Sequence, residues 1–133
     1  MSNHHGSSDT KVLEHFLNPR NVGDLPDAHG VGEVGAVSCG DVLRISIRVH
    51  DGRIADARFR TFGCGTAIAC SSVTTELIRG RTIEEALKFS NEEVSRALGG
   101  LPPAKAHCPV LAEEAVKAAV EDYLRKGGLR DKT

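Results

Sequence analysis

The chain has 133 residues, of which 40% are hydrophobic and 26% charged, proportions that suit one compact domain with a core of its own. Seventeen basic residues against 18 acidic ones leave a net charge of −1, without the basic excess that nucleic-acid binding needs. No stretch approaches the roughly 18 apolar residues of a membrane span. The polar start, MSNHHGSS, has neither the apolar region of a secretory signal nor the arginines of a transit peptide. The expectation is therefore a cytoplasmic, reducing compartment, with no nucleic-acid or membrane partner. Residues 1–10 are read as a disordered segment of partly non-native origin, 11–126 as a single domain and 127–133 as a flexible tail.

In chain order, Thr10 to Asn18 is predicted as a short amphipathic helix with Val12, Leu13, Phe16 and Leu17 on its apolar side. Pro19 stops it, because the residue before a proline is pushed out of the helical region. Residues 21–35, rich in glycine, are expected to be loop with at most a short strand near Val31–Val34. Asp41 to His50 alternates strictly, placing Leu43, Ile45, Ile47 and Val49 on one face of a half-buried antiparallel strand. Arg53 to Phe62 follows, with Ala55, Ala57 and Phe59 opposed to Asp56, Arg58 and Arg60. A two-residue turn at Asp51-Gly52 would set Asp56 against Ile47. A three-residue loop, His50 to Gly52, pairs Ile47 with Ala55 and Leu43 with Phe59, and the alternation favours it. After Phe62 the period becomes helical. One helix is expected from about Gly65 to Arg79, ended by Gly80. Thr82-x-x-Glu85 and Ser90-x-x-Glu93 match capping boxes that open two short helices. The Gly99-to-Pro103 run breaks the chain before a last helix, Pro109 to Lys126. Its stripe of Leu111, Ala112, Ala115, Val116, Ala119 and Tyr123 faces inward, and Glu113–Lys117, Glu121–Arg125 and Asp122–Lys126 are spaced to pair. Strands first and helices after predict an α+β domain. About three antiparallel strands carry helices on one face, with a site at one end.

Four cysteines are present: Cys39, Cys64, Cys70 and Cys108. A domain of this size in a reducing compartment has no need of disulfides, so dispersed cysteines point to metal or thiol chemistry, the alternative being small buried hydrophobes. Cys39 falls in the loop before the first long strand, Cys64 between a strand and a helix, and Cys108 where an N-cap would stand before Pro109. A helix N-terminus favours the thiolate at Cys64 and Cys108, and Lys105 adds a cation near the latter. With Asp41 and His107 these thiols make a donor set that suits zinc or a [2Fe–2S] centre. The intervals of 24 and 43 residues contain no CxxC pair, so spacing leaves the metal open, and Asp41 and His107 are equally readable as turn and loop residues. Cys70, sharing a helical stripe with Val73 and Leu77, is expected in the core, pointing toward the sheet and away from the site.

Gly35-Ala36-Val37-Ser38-Cys39-Gly40-Asp41, Thr61-Phe62-Gly63-Cys64-Gly65-Thr66-Ala67-Ile68-Ala69 and Leu101-Pro102-Pro103-Ala104-Lys105-Ala106-His107-Cys108 resemble, in order, the three signature blocks of the IscU/NifU scaffold family. His15 to Gly23 is similar to its N-terminal block, and the resemblance runs from about Lys11 to Lys126. It implies a scaffold and carrier rather than an enzyme. Cys39, Cys64 and Cys108 would ligate a labile [2Fe–2S] cluster, Asp41 would keep it exchangeable and His107 could ligate beside Cys108. The cluster would be built from Fe²⁺ and persulfide sulfur delivered by a cysteine desulfurase, with Cys108 as acceptor, then passed to apoproteins. Zn²⁺ can take the same site. Leu101, Pro102, Pro103, Ala104 and Lys105 are similar to the segment read by a dedicated Hsp70-type chaperone with its co-chaperone, although Ala104 replaces the motif's valine. Ferredoxin, a frataxin-like protein and a cluster-bearing homodimer are further partners the resemblance implies. Phe16 stands where the family commonly has tyrosine, and Cys70 is additional to the pattern. The competing readings are a structural zinc protein and a zinc-dependent sulfurtransferase of the SufU type; the latter resembles this family with an insertion before its third cysteine and no histidine beside it.

Overall fold

The computed structural model describes residues 11–36, 40–101 and 107–127. Residues 11–17 form helix α1. Strands β1 (Gly30–Ala36), β2 (Asp41–His50) and β3 (Arg53–Phe62) follow, then helices α2 (Gly65–Ile78), α3 (Ile83–Leu87), α4 (Asn91–Ala97) and α5 (His107–Arg125). The strands make an antiparallel meander in the order β1-β2-β3. Helix α5 lies against β1 and β2, α2 against β3, and the short helices pack on α5. The α+β class and the three strands are as the sequence predicts.

Leu43, Ile45, Ile47 and Val49 are buried beneath the helices with Phe59, Val116 and Val120. At roughly 25 cal/mol per Å² of apolar surface, burial of such side chains supplies most of the driving force for this layer. The hairpin differs from expectation. Its turn has two residues, Asp51 and Gly52, both with positive φ (54° and 75°), and His50 faces Arg53. That is the backbone an Asp-Gly pair favours. Val49 pairs with Ile54 but Arg48 pairs with Asp56, so Ala55 is an extra residue, a bulge that shifts the register by one. Beyond it Ile47 meets Ala57, Ile45 meets Phe59 and Leu43 meets Thr61. Ala55 is exposed and Ile54 buried, the reverse of the simple alternation. One inserted residue reconciles the preferred turn with an unbroken apolar face.

β1 is longer than the sequence suggests because its glycines are contact positions. A Cβ on Gly30 would lie 2.3 Å from the Ala119 carbonyl oxygen, and one on Gly32 would lie 2.4 Å from both Ala115 O and Ala119 N. Only glycine lets the strand approach α5 this closely. The Asp122 carboxylate then accepts a hydrogen bond from the Val31 amide at 2.9 Å, fastening the same edge. Lys126 pairs with Asp122 and Lys117 with Glu113 as expected, whereas Arg125 turns to Asp122.

Two further expectations shift. On α1 the buried residue is His15, while Leu13, Phe16 and Leu17 are exposed. Its imidazole Nδ1 meets the Ser72 hydroxyl of α2 at 2.8 Å, a polar anchor beside Val12, which is half-buried against the core as expected. Helix α2 is buried on nearly every side and is rich in Ser and Thr. It tolerates this because Ser71 and Thr74 donate to carbonyls four residues back and Thr75 to one three back.

Candidate functional site

Three elements converge at one end of the sheet: the start of β2, the start of α2 and the first turn of α5. Gly40, at φ +82°, turns the chain into β2, whose first residue is Asp41. Cys64 is the N-cap of α2 with an extended backbone, as expected, and its side chain is exposed. Cys108 is not an N-cap. Helix α5 already includes His107, so Cys108 sits in its first turn, with its side chain turned inward and 2% exposed. Cys39 and the segment Pro102, Pro103, Ala104 and Lys105 lie outside the described residues. Leu101 is half-buried against the core.

The convergence brings together side chains separated by 66 positions. The His107 imidazole donates from Nε2 to Asp41 Oδ2 at 2.9 Å, and the same nitrogen lies 3.6 Å from Cys108 Sγ. Asp41 is largely shielded, its side chain 15% exposed, against 51% for His107. Two thiols complete the group. The Cys70 and Cys64 thiols are hydrogen-bond partners of the Cys108 sulfur. These bonds favour the ionised form of Cys108. The Cys70 donor, helped by the His107 imidazole and the Cys64 thiol, brings the Cys108 thiol down to about 7 against the opposing effects of burial and the Asp41 carboxylate. Cys70 is driven the other way, first by holding its proton against Cys108 and then by burial. The ease of ionisation anticipated at Cys108 is thus present, with neighbouring thiols as the leading cause rather than a helix terminus.

The glycines around Cys64 have specific tasks. A Cβ on Gly63 would lie 2.5 Å from Asp41 Oδ1 and 3.1 Å from Ala67 Cβ, so Asp41 fills the space a side chain would take. A Cβ on Gly65 would meet the Phe16 ring at 3.2 Å, so α1 reaches the start of α2 and lays Phe16 against Gly65. Among the described residues no group of three or more His, Cys, Asp or Glu side chains is arranged to hold a metal ion. What they form is a thiol, imidazole and carboxylate cluster hydrogen-bonded to itself.

The placement of Cys70 corrects the sequence reading. It is buried, 1% exposed, as expected, yet its thiol points to Cys108 rather than away from the site. The rotation between Cys64 and Cys70 along α2, roughly 120°, is sound but omits α5, whose first turn packs against α2 and supplies the partner. No spacing in the sequence reports that helix crossing.

Soft thiols thus meet one imidazole and one carboxylate at the end of the sheet of a compact α+β domain. The model of the NifU-like N terminal domain matches residues 7–129. The chain is 56% identical over 122 residues to iron–sulfur cluster assembly scaffold protein IscU 1 of Archaeoglobus fulgidus, covering 92% of this chain and 80% of the relative. It is 55% identical over 124 residues to the IscU scaffold protein of Azotobacter vinelandii, covering 90% of this chain and 95% of the relative. In fold it resembles the crystal structure of a SUF-system iron–sulfur cluster assembly scaffold protein from Fervidobacterium islandicum, with TM-score 0.68 at 20% identity over 83% of this chain and 93% of that one. The chain belongs to the NifU-like N-terminal domain family, with the IscU proteins among its relatives. No helix among the described residues is long and apolar enough to cross a membrane.

Proposed function

We propose that this protein is a scaffold on which an iron–sulfur cluster is assembled and from which it is handed to recipient apoproteins. The observation that carries this most directly is the meeting of Cys64 and Cys108, with 43 residues between them, beside a linked His107–Asp41 pair. In detail, Cys39, Cys64 and Cys108 supply thiolates to a [2Fe–2S] cluster, and His107 or Asp41 takes the remaining, exchangeable position. A soft sulfur ligand holds iron more firmly than a protonatable oxygen or nitrogen one, so a mixed shell opens at its weakest corner. Sulfur arrives as persulfide from a cysteine desulfurase and is taken first by Cys108, whose thiol its neighbours lower to about 7. Compared with a SufU-type sulfurtransferase, the IscU reading is favoured by the 50% and higher identity to IscU proteins and by His107 next to Cys108.

The test is anaerobic incubation with ferrous iron, cysteine and a cysteine desulfurase, followed by absorption spectroscopy. Wild type should develop the visible bands of a [2Fe–2S] cluster and lose them on addition of an apo-ferredoxin. Serine in place of Cys39, Cys64 or Cys108 should abolish the bands while leaving circular dichroism unchanged. Full retention in any one variant would remove that residue from the ligand set, and zinc binding without cluster formation in wild type would overturn the scaffold role.

A further inference from the structure

Residues 20–23, the segment after α1, hydrogen-bond to two elements at once. The Phe59 amide of β3 donates to the Asn21 carbonyl at 2.9 Å, and the Gly23 amide donates to the Phe59 carbonyl at 2.8 Å. The Asn21 side-chain Nδ2 donates to the Thr75 hydroxyl of α2 at 3.1 Å, and the Arg20 amide donates to the Ser72 hydroxyl at 2.9 Å. Asn21 holds a φ of 61°, a left-handed conformation that asparagine tolerates better than most side chains do. Its side chain has to be a donor. Thr75 commits its one hydroxyl proton to the Ser72 carbonyl at 2.7 Å, so its oxygen is left to accept. Thr75 is fully buried, which shields the bond from water.

We propose that Asn21 is a positioning residue for Cys64: bonded to Phe59 and to Thr75, it braces β3 against α2 and fixes how the corner between them presents the Cys64 sulfur. This rests on Cys64 being a cluster ligand. β3 and α2 are the two arms of that corner. Phe59 precedes Cys64 by five positions and Thr75 follows it by eleven. At roughly 3.4 Å per strand residue and roughly 1.5 Å per helix residue, both anchor points lie roughly 17 Å along the chain from Cys64. Asn21 therefore ties the arms together at matched distances from the corner. The helix needs such a tie because its buried side chains are mostly small or hydroxylated, among them Ala67, Ala69, Ser71 and Thr74. A surface of that kind offers few large side chains to resist sliding or rotation, whereas hydrogen bonds are directional. A slip of one residue along α2 moves its start by about 1.5 Å, far more than the roughly 0.2 Å within which a metal–ligand distance is held. Asn21 acts at this distance through two regular elements and touches no ligand itself.

The experiment compares full-length wild type with Asn21→Gly, Asn21→Asp, Thr75→Val, Thr75→Ser and the Asn21→Gly/Thr75→Val double variant. Asn21→Gly keeps the left-handed backbone and drops the donor, Asn21→Asp turns a carboxylate on the Thr75 lone pairs, and Thr75→Ser keeps the hydroxyl. Two readouts are taken under conditions where circular dichroism shows each protein folded. The first is the set of amide NMR signals of Gly63, Cys64 and Gly65 in the cluster-free protein. The second follows anaerobic loading with ferrous iron, cysteine and a desulfurase, and records the visible circular dichroism of the cluster and its rate of loss to an apo-ferredoxin. Asn21→Gly, Asn21→Asp and Thr75→Val should shift the corner signals, alter the cluster spectrum and speed cluster loss about three- to tenfold, the factor one net hydrogen bond supplies. Thr75→Ser should match wild type in all of these, and the double variant should lose its cluster no faster than the faster single one. Wild-type corner signals and cluster spectrum in Asn21→Gly and Thr75→Val would overturn the brace and reduce Asn21 to a general stabiliser, with the scaffold reading intact. Thr75→Ser behaving like Thr75→Val would overturn it equally, since the hydroxyl would not be the anchor. A wild type that forms no cluster would overturn the scaffold reading, and the ligand-positioning role with it.

Discussion

Replacing Gly63 by alanine tests whether the carboxylate beside the thiols is held by shape. The new methyl carbon would lie 2.5 Å from Asp41 Oδ1, against an ordinary heavy-atom separation of roughly 3.5 Å, so the carboxylate must retreat by about 1 Å. Gly63 is not among the glycines with positive φ, and the backbone accepts alanine without strain. The retreat breaks the 2.9 Å bond from His107. A hydrogen bond to a charged group is worth about 1.5–3 kcal/mol when shielded. Because His107 is half exposed, solvent reduces this to about 0.5–1 kcal/mol. While His107 and Asp41 bond to each other neither is free to ligate, so loss of that bond should favour the loaded state by about two- to fivefold. The assay is the rate of cluster loss to an apo-ferredoxin, together with the imidazole nitrogen signals of His107 in the cluster-free protein. Gly63→Ala should slow loss in the same direction as Asp41→Ala, and the double variant should be no slower than the slower single one. Wild-type imidazole signals with wild-type kinetics, or additive effects in the double variant, would refute the coupling.

Two predictions concern the frame that holds the site. Gly32→Ala pushes a methyl into the backbone of α5 and should cost about 1–3 kcal/mol in urea unfolding, with α5 and therefore Cys108 displaced. Asp122→Ala removes the carboxylate that accepts from Val31 and should cost about 1.5–3 kcal/mol at pH 7. Burial opposes ionisation of Asp122, but the Val31 amide and the Lys126 and Arg125 cations outweigh it and lower its pKa from the ordinary 3.8. Its contribution is therefore complete above that value and lost as pH falls through the lower folded one. The urea midpoints of wild type and Asp122→Ala should converge only in strong acid; convergence already near pH 5 would show that the ion pairs do not hold it.

The candidate ligands were legible because their neighbours are sequence-local: Gly40 before Asp41, Gly63 and Gly65 around Cys64, His107 before Cys108. So was the class of fold, since strict alternation in residues 41–50 admits little else. What failed was whatever depended on a second element. The glycines of β1 read as loop because glycine lacks strand propensity, and only the helix lying on Gly30 and Gly32 turns that absence into a packing requirement. The bulge at Ala55 was hidden because turn preference and side-chain alternation gave conflicting registers, and the chain satisfied both by spending one residue. α1 was read as an apolar stripe, yet it is anchored through His15 on Ser72 of a distant helix.

The self-contained bonding of the site bears on how a scaffold lets go. An empty shell of charged ligands is costly, because each thiolate or carboxylate left without a partner in a partly buried place raises the energy of the cargo-free protein. Here the hard groups satisfy each other, Asp41 receiving from His107, and the soft groups do the same, Cys108 receiving from Cys70 and Cys64. Relief of the empty state narrows the gap between loaded and unloaded protein without weakening any bond to the cluster itself. It also assigns different work to the same residues in the two states. Asp41 and His107 are ligand candidates when cargo is present and each other's partner when it is gone, so either one's departure from the cluster is met at once by a hydrogen bond already within reach. On the proposed ligand set, exchangeability is then a property of the pair rather than of a single weak ligand, and it is built by the two residues that open β2 and α5.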